Sequence, residues 1–462
     1  MRVERDSLGE KIVPDQVYWG IQTQRAIENF PISGTVHPAE LPRAMGAVKA
    51  AAAEANIQLG ALDPKTGKLI VRASREVLEG RFDDQFPVDV FQAGAGTSSH
   101  MNTNEVIANR ALELAGEPKG SYEKISPNDH VNMSQSTNDV FPTALRIAAL
   151  WLLERELYPA VQRLREAFEA KAREFDDVLK VGRTHMQDAV PIRMGQEFGG
   201  YAEALARALE AVRSAAHELE RVNLGATAIG TGINTPDGYQ SIVVKRLARL
   251  THLSLRRAQN LVEITQSAAD FSRISSALRL LGLELVRISN DLRLLSSGPR
   301  TGLGEIRLPA VQPGSSIMPG KVNPSIAEMV DMVGFQVVGD DMVIALAVQA
   351  GQLELNVMLP VIAHNLLQSI RILANASRVF AERCVEGIEA DRTITKKYAE
   401  SSEALVTALS PRIGYLTAAS VAKESAATGR SVREIVLDRG LIPAEELDKL
   451  LDPHAMTGSN EQ

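Results

Sequence analysis

Four segments of the chain carry more small hydroxyls, amides and glycines than a packed core would use. Gly314–Pro324, reading GSSIMPGKVNP, holds two glycines and two prolines, so it is a loop and not a helix or central strand. Within it, Lys321 offers a point charge for a carboxylate, and the Ser315 and Ser316 hydroxyls with nearby N–H groups could stabilise developing negative charge. Gly182–Asp188, GRTHMQD, places His185 in a dense polar cluster, where it could move protons near neutral pH. Asn132–Asp139, NMSQSTND, stands directly before a helical pattern, and donors at a helix N-terminus make a ready carboxylate site. Gly94–Glu105, GAGTSSHMNTNE, joins glycines that allow close backbone approach to hydroxyls that can hold an oxyanion. Each segment also has a plainer reading: a helix cap, a histidine in a turn, or a connector.

Taken together, hydroxyls, amides, a lysine and a histidine fit a reaction on a small dicarboxylate. A proton would leave the carbon beside a carboxylate, and the charge would spread into an aci-carboxylate held by preorganised donors. A hydroxyl or amine would then depart from the adjacent carbon. On chemistry alone His185 is the natural base, because an unperturbed serine hydroxyl is a very poor one.

Composition removes several other classes. The chain has 462 residues, 45% of them hydrophobic, and a net charge of −7 with no long basic run, which argues against a nucleic-acid or membrane-surface role. Cys384 is the only cysteine, so no intrachain disulfide or Cys-based zinc site can form, and a cytoplasmic home fits. The eight histidines show no HxH or HExxH spacing. The charged N-terminus does not look like a secretory signal, and apolar runs such as Met342–Val348 are too short to span a membrane. Gly225–Gly232 lacks the strand–turn–helix setting of a dinucleotide loop, and no GxxxxGK[ST] phosphate loop occurs.

Long helices must position these segments. Phe198, Tyr201, Leu205, Leu209, Val212, Ala216 and Leu219 step by three or four along one helix face. Ile274, Leu278, Leu281, Leu285, Ile288, Leu292 and Leu295 form a heptad seam, which Gly298-Pro299 stops. Further helices are expected from about Pro324, over roughly Pro360–Cys384, and as short pieces at Ser431–Arg439 and Pro443–Leu451. The fold class is therefore mainly α, with a central long-helix bundle shared between subunits. Three domains are expected: a mixed, mostly helical 1–140, a bundle 141–392 carrying the 314–324 loop, and a small helical 393–462.

The loop GSSIMPGKVNP resembles the signature loop of the aspartase/fumarase superfamily, and the other three segments are similar to its remaining site blocks, in the same order. The resemblance runs from about Arg5 to Pro453. Gly320 fits the fumarase and aspartase branches, since argininosuccinate and adenylosuccinate lyases usually carry a bulkier residue there. Val131–Ala144, Gly182–Phe198, Gly225–Thr235 and Gly351–Met358 look more like aspartases. Fumarases more often have Ser at Thr137, Gly at Ala226, Phe at Leu353 and Lys at Leu359.

The resemblance implies reversible deamination of L-aspartate to fumarate, with hydration of fumarate as the rival. A helical scaffold without activity is the alternative of another class, disfavoured because Ser315, Lys321 and Asn323 are all present. It also implies that Ser315, not His185, is the base, activated as an oxyanion. Lys321, Asn323 and Thr184 would hold one carboxylate. Thr97, Ser136, Thr137 and Ser316 would meet the other or the amino group, with Asn138 and His185 near the leaving amine. The three-domain fold would assemble as a homotetramer with a core of about twenty helices, each site drawing on three subunits and closed by the loop as a lid. No cofactor is implied, though Mg2+ activates some aspartases. His100 departs from the family pattern, where Asn is common. It could add a contact or a charge near the pocket, or be a neutral surface change.

Overall fold

The computed structural model describes residues 1–452 and 456–458; Pro453 and part of the expected 393–462 domain lie outside them. The chain is mainly helical, with seventeen α-helices and four two-stranded sheets among the described residues. It divides into two compact units. One comprises Met1–Pro159, Glu210–Gly282 and Phe335–Ala374; the other comprises Ala160–Leu209, Leu283–Gly334 and Asn375–Gln462. The helices Met194–Ala216, Ala269–Leu295, Ser325–Gln349 and Leu359–Arg383 contribute residues to both.

The heptad seam lies in the Ala269–Leu295 helix, and all seven of its residues are buried. The Phe198–Leu219 stripe is likewise buried throughout. The expected helix starts hold to within a residue. The helix after the signature loop begins at Ser325, one past Pro324, and the next spans Leu359–Arg383. Ser431 caps Val432–Asp438 with a capping box, its side chain accepting the Glu434 N–H while Glu434 accepts the Ser431 N–H.

In the first unit, the alanine-rich Glu40–Gln58 helix is buried on nearly every side and packs against Pro64–Leu78, Thr137–Leu152 and Tyr239–Thr251. Small residues make this possible. A Cβ on Gly46 would sit 2.9 Å from the Leu78 amide nitrogen. Glu105, buried on the Thr97–Leu114 helix, accepts the N–H groups of Gly20, Gln22 and Thr23 at 2.9, 2.7 and 3.1 Å. That carboxylate fastens the N-terminal segment to the helix whose start carries Thr97.

In the second unit, strands Leu179–Thr184 and Gln187–Arg193 form an antiparallel hairpin. Lys180 and Arg183 on its first strand both pair with Glu305, fully buried, at 3.1 and 2.9 Å.

Leu281 is a fully buried member of the seam. Leu281→Ala should cost about 2–5 kcal/mol, seen as a lower urea midpoint; a loss under about 1 kcal/mol would mean that the seam is not tightly packed.

Candidate active site

The predicted site residues of the first unit lie at two helix starts. Gly94–Gly96 is a tight turn in which Ala95 and Gly96 both have positive φ, 61° and 88°. A Cβ on Gly96 would overlap the Phe141 ring, so only glycine allows the Thr97–Leu114 helix to begin there. Thr97 is the first residue of that helix and is exposed.

The second start is Thr137–Leu152, capped by Ser136, whose hydroxyl accepts the Asn138 N–H at 3.2 Å. Asp139 completes a capping box, its Oδ1 accepting the Ser136 N–H at 2.9 Å. Its Oδ2 accepts the N–H groups of Gly225 and Thr227 at 3.0 and 2.9 Å. This buried carboxylate therefore ties the helix start to the glycine-rich 225–232 turn. Burial pushes its pKa up to about 6, against the pull of the three backbone N–H groups. Asn138 is held on both sides: its Nδ2 donates to Ala228 O at 2.8 Å, and its carbonyl accepts from Asn223 Nδ2 at 3.0 Å. Ser136, Thr137 and Asn138 thus sit at the positive end of a sixteen-residue helix, a setting that attracts a carboxylate.

His100 is neither a surface residue nor a charge, which removes two of the outcomes left open for it. It is buried at 1% exposure and lies 2.7 Å from Thr137 Oγ1 and 2.6 Å from Lys49 Nζ. Burial, then the neighbouring lysine, holds its pKa well below the usual histidine range, so the ring stays neutral. The surviving outcome is an added contact, made to a predicted substrate residue.

In the second unit, Thr184 and His185 lie at the tip of the hairpin. Thr184 pairs with Gln187, and His185 and Met186 form a two-residue turn with φ of 54° and 60°. All three project into solvent. The Glu305 ion pairs grip the hairpin at its first strand and leave the tip exposed.

Gly314–Pro324 is a closed loop with its own internal bonds. At its base, Gly314 N donates to Lys321 O at 2.8 Å and Asn323 Nδ2 donates to Gly314 O at 2.7 Å. A Cβ on Gly314 would fall 2.6 Å from Lys321 O, so the clamp requires glycine. Inside the loop, Ser315 Oγ accepts two backbone N–H groups, from Ile317 at 3.2 Å and Met318 at 3.0 Å. Ser316 and Lys321 are exposed, and Ile317 is 83% exposed.

The predicted residues thus fall into three groups: Thr97 with Ser136–Asn138 in one unit, and the hairpin tip and the loop as separate elements of the other. Sequence reasoning missed Asp139, Asn223, Thr227 and Lys49. Asp139 alone left a signal, three residues after Ser136 in a capping-box pattern. No metal-binding group of three or more His, Cys, Asp or Glu side chains occurs among the described residues.

Residues 9–339 match the lyase family model, and residues 405–458 match the model for the fumarase C C-terminus. An aspartate ammonia-lyase of Bacillus sp is 52% identical over 99% of this chain and 97% of its own length. A class II fumarate hydratase of Corynebacterium glutamicum is 48% identical, covering 98% and 96%. Among solved structures, a Brucella melitensis protein described as fumarate lyase:delta crystallin bound to cobalt superposes with a TM-score of 0.96, at 49% identity over 99% of this chain and 100% of that one.

Replacing Asp139 by asparagine would set an NH2 group against backbone donors. Asp139→Asn should cost about 2–3 kcal/mol of stability and weaken substrate binding together with it. An unchanged urea midpoint would show that the carboxylate does not hold the helix start.

Proposed function

Since the chain belongs to the lyase family that contains the aspartases and class II fumarases, we propose that it is an aspartate ammonia-lyase, converting L-aspartate reversibly to fumarate and ammonia. The observation that carries this reading is the pair of backbone N–H groups aimed at Ser315 Oγ. A serine hydroxyl is a poor base because its alkoxide is unstable in water. Two preorganised donors stabilise that alkoxide, which is what a serine base requires. His185, the choice on unaided chemistry, sits instead at an exposed turn.

In this mechanism the Ser315 alkoxide takes the proton from Cβ. The electron pair of the C–H bond moves into the adjacent carboxylate, giving the aci-carboxylate. Lys321, Asn323 and Thr184 meet that carboxylate. The pair then returns to form the double bond, and the C–N bond breaks to release the amine near Asn138 and His185. Thr97, Ser136, Thr137 and Ser316 hold the second carboxylate or the amino group. The elimination passes a proton from Cβ to Ser315 and releases the amine with no change of oxidation state overall, so no redox cofactor is part of the proposal.

The aspartase-like blocks and the 52% identity to the Bacillus sp aspartate ammonia-lyase support L-aspartate as the substrate. The fumarase of Corynebacterium glutamicum, at 48%, makes hydration the rival.

A homotetramer with sites drawn from three subunits is part of the proposal. Its support is a second heptad stripe on the Ser325–Gln349 helix, at Met332, Phe335, Gly339, Met342 and Leu346. The four apolar side chains in it are 56–67% exposed in the single subunit. An apolar seam of that period calls for partner helices. A cytoplasmic location is proposed with it, on the single buried cysteine.

Ser315→Ala should lower kcat by about a hundredfold to ten-thousandfold while gel filtration shows the native assembly; near-native turnover would remove Ser315 from the mechanism. Lys321→Ala should raise KM for L-aspartate by about tenfold to a hundredfold, and an unchanged KM would contradict its role as counter-charge.

A further inference from the structure

Behind Thr137 stands a row of buried polar groups that the proposed mechanism does not use. His100 Nδ1 lies 2.7 Å from Thr137 Oγ1, and its Nε2 lies 2.6 Å from Lys49 Nζ. Lys49 is fully buried and donates to Asn132 Oδ1 at 3.0 Å. Asn132 Nδ2 in turn donates to Gln135 O at 3.4 Å, which fixes the amide with its oxygen toward Lys49.

The direction of the hydrogen bonds follows from this row. An ammonium has hydrogens and no lone pair, and a neutral amine that accepted from Nε2 would leave one of its two hydrogens without an acceptor among its two hydrogen-bonded neighbours, Asn132 and His100. Nε2 of His100 therefore accepts. A neutral imidazole carries one ring proton, so that proton is on Nδ1 and is donated to Thr137 Oγ1. With its oxygen engaged as an acceptor, the Thr137 hydroxyl has its own hydrogen left to give.

We infer that His100 is a positioning residue that fixes the Thr137 hydroxyl as a donor toward the substrate carboxylate, with Lys49 setting the tautomer of its ring. This rests on the assignment of Thr137 to the substrate site. A carboxylate offers only acceptors, so a hydroxyl that presented its oxygen would repel it, and one that presents its hydrogen binds it. Burial strengthens the effect, because each bond in the row acts in a low dielectric. Burial also holds the pKa values of Lys49 and His100 well below their usual ranges, although the nearby Asp139 carboxylate favours the charged lysine. His100 therefore does not gain a second ring proton that would turn Nε2 into a donor facing Lys49.

Two substitutions in the full-length enzyme separate positioning from simple filling. His100→Asn can place an amide N–H where Nδ1 stood, keeping the donor to Thr137 and losing the contact with Lys49. His100→Gln does the reverse, reaching Lys49 from the position of Nε2 and leaving Thr137 without its donor. We expect KM for L-aspartate to stay within about threefold for His100→Asn and to rise about tenfold for His100→Gln, with kcat changed less than KM in both. Thr137→Val should raise KM in the native protein and add little on top of His100→Gln. Equal effects of the two His100 variants, the reverse order, or additive losses with Thr137→Val would overturn the inference and leave Thr137 in the site. A Thr137→Val variant with native KM would instead remove Thr137 from the substrate site, and the role of His100 with it.

Discussion

One buried carboxylate organises the start of the Thr137–Leu152 helix. Asp139 accepts the N–H of Ser136 on one oxygen and those of Gly225 and Thr227 on the other. Those donors come from segments 86 and 88 residues downstream, so a single side chain sets the start of the Thr137–Leu152 helix against the 225–232 turn. Asn138 is then pinned between Ala228 and Asn223, and Thr137 is brought onto His100. The cost of burying the carboxylate is offset by bonds that all run to backbone donors. The start of this helix is its positive end, which suits the proposed dicarboxylate substrate.

The 314–324 loop is organised differently, by bonds within itself. The Gly314–Lys321 and Asn323–Gly314 bonds close the loop on itself, and the chain inside turns so that two N–H groups converge on Ser315 Oγ. Ser316 and Lys321 stay exposed on the same short segment. A loop organised internally can move as one piece, which is what the proposed lid over the substrate would need.

Much of the molecule was legible in the sequence where a pattern is local. The Ile274–Leu295 seam, the helix start after Pro324 and the short helix after Ser431 all follow from spacing within a few turns, and the structure places them as expected. The Glu40–Gln58 helix left a weaker trace, because it is buried on nearly every side and an element without a solvent face has no periodicity. Residues that act at long range left little. Lys49 and His100 are 51 residues apart, and only the bond between them and the contact of His100 with Thr137 give the pair meaning. Ser315 stood out in the sequence from its loop, but the two donors on its hydroxyl, which the proposed base needs, are backbone atoms, which a sequence does not distinguish from any others.

Loss of an amine from L-aspartate to form the fumarate double bond is tested by incubating the purified protein with L-aspartate and, in parallel, with L-malate, and following fumarate by its ultraviolet absorbance. The proposed function predicts fumarate from L-aspartate, matched by released ammonia, and none from L-malate. Fumarate from L-malate alone would contradict it and place the chain on the hydratase side of its family.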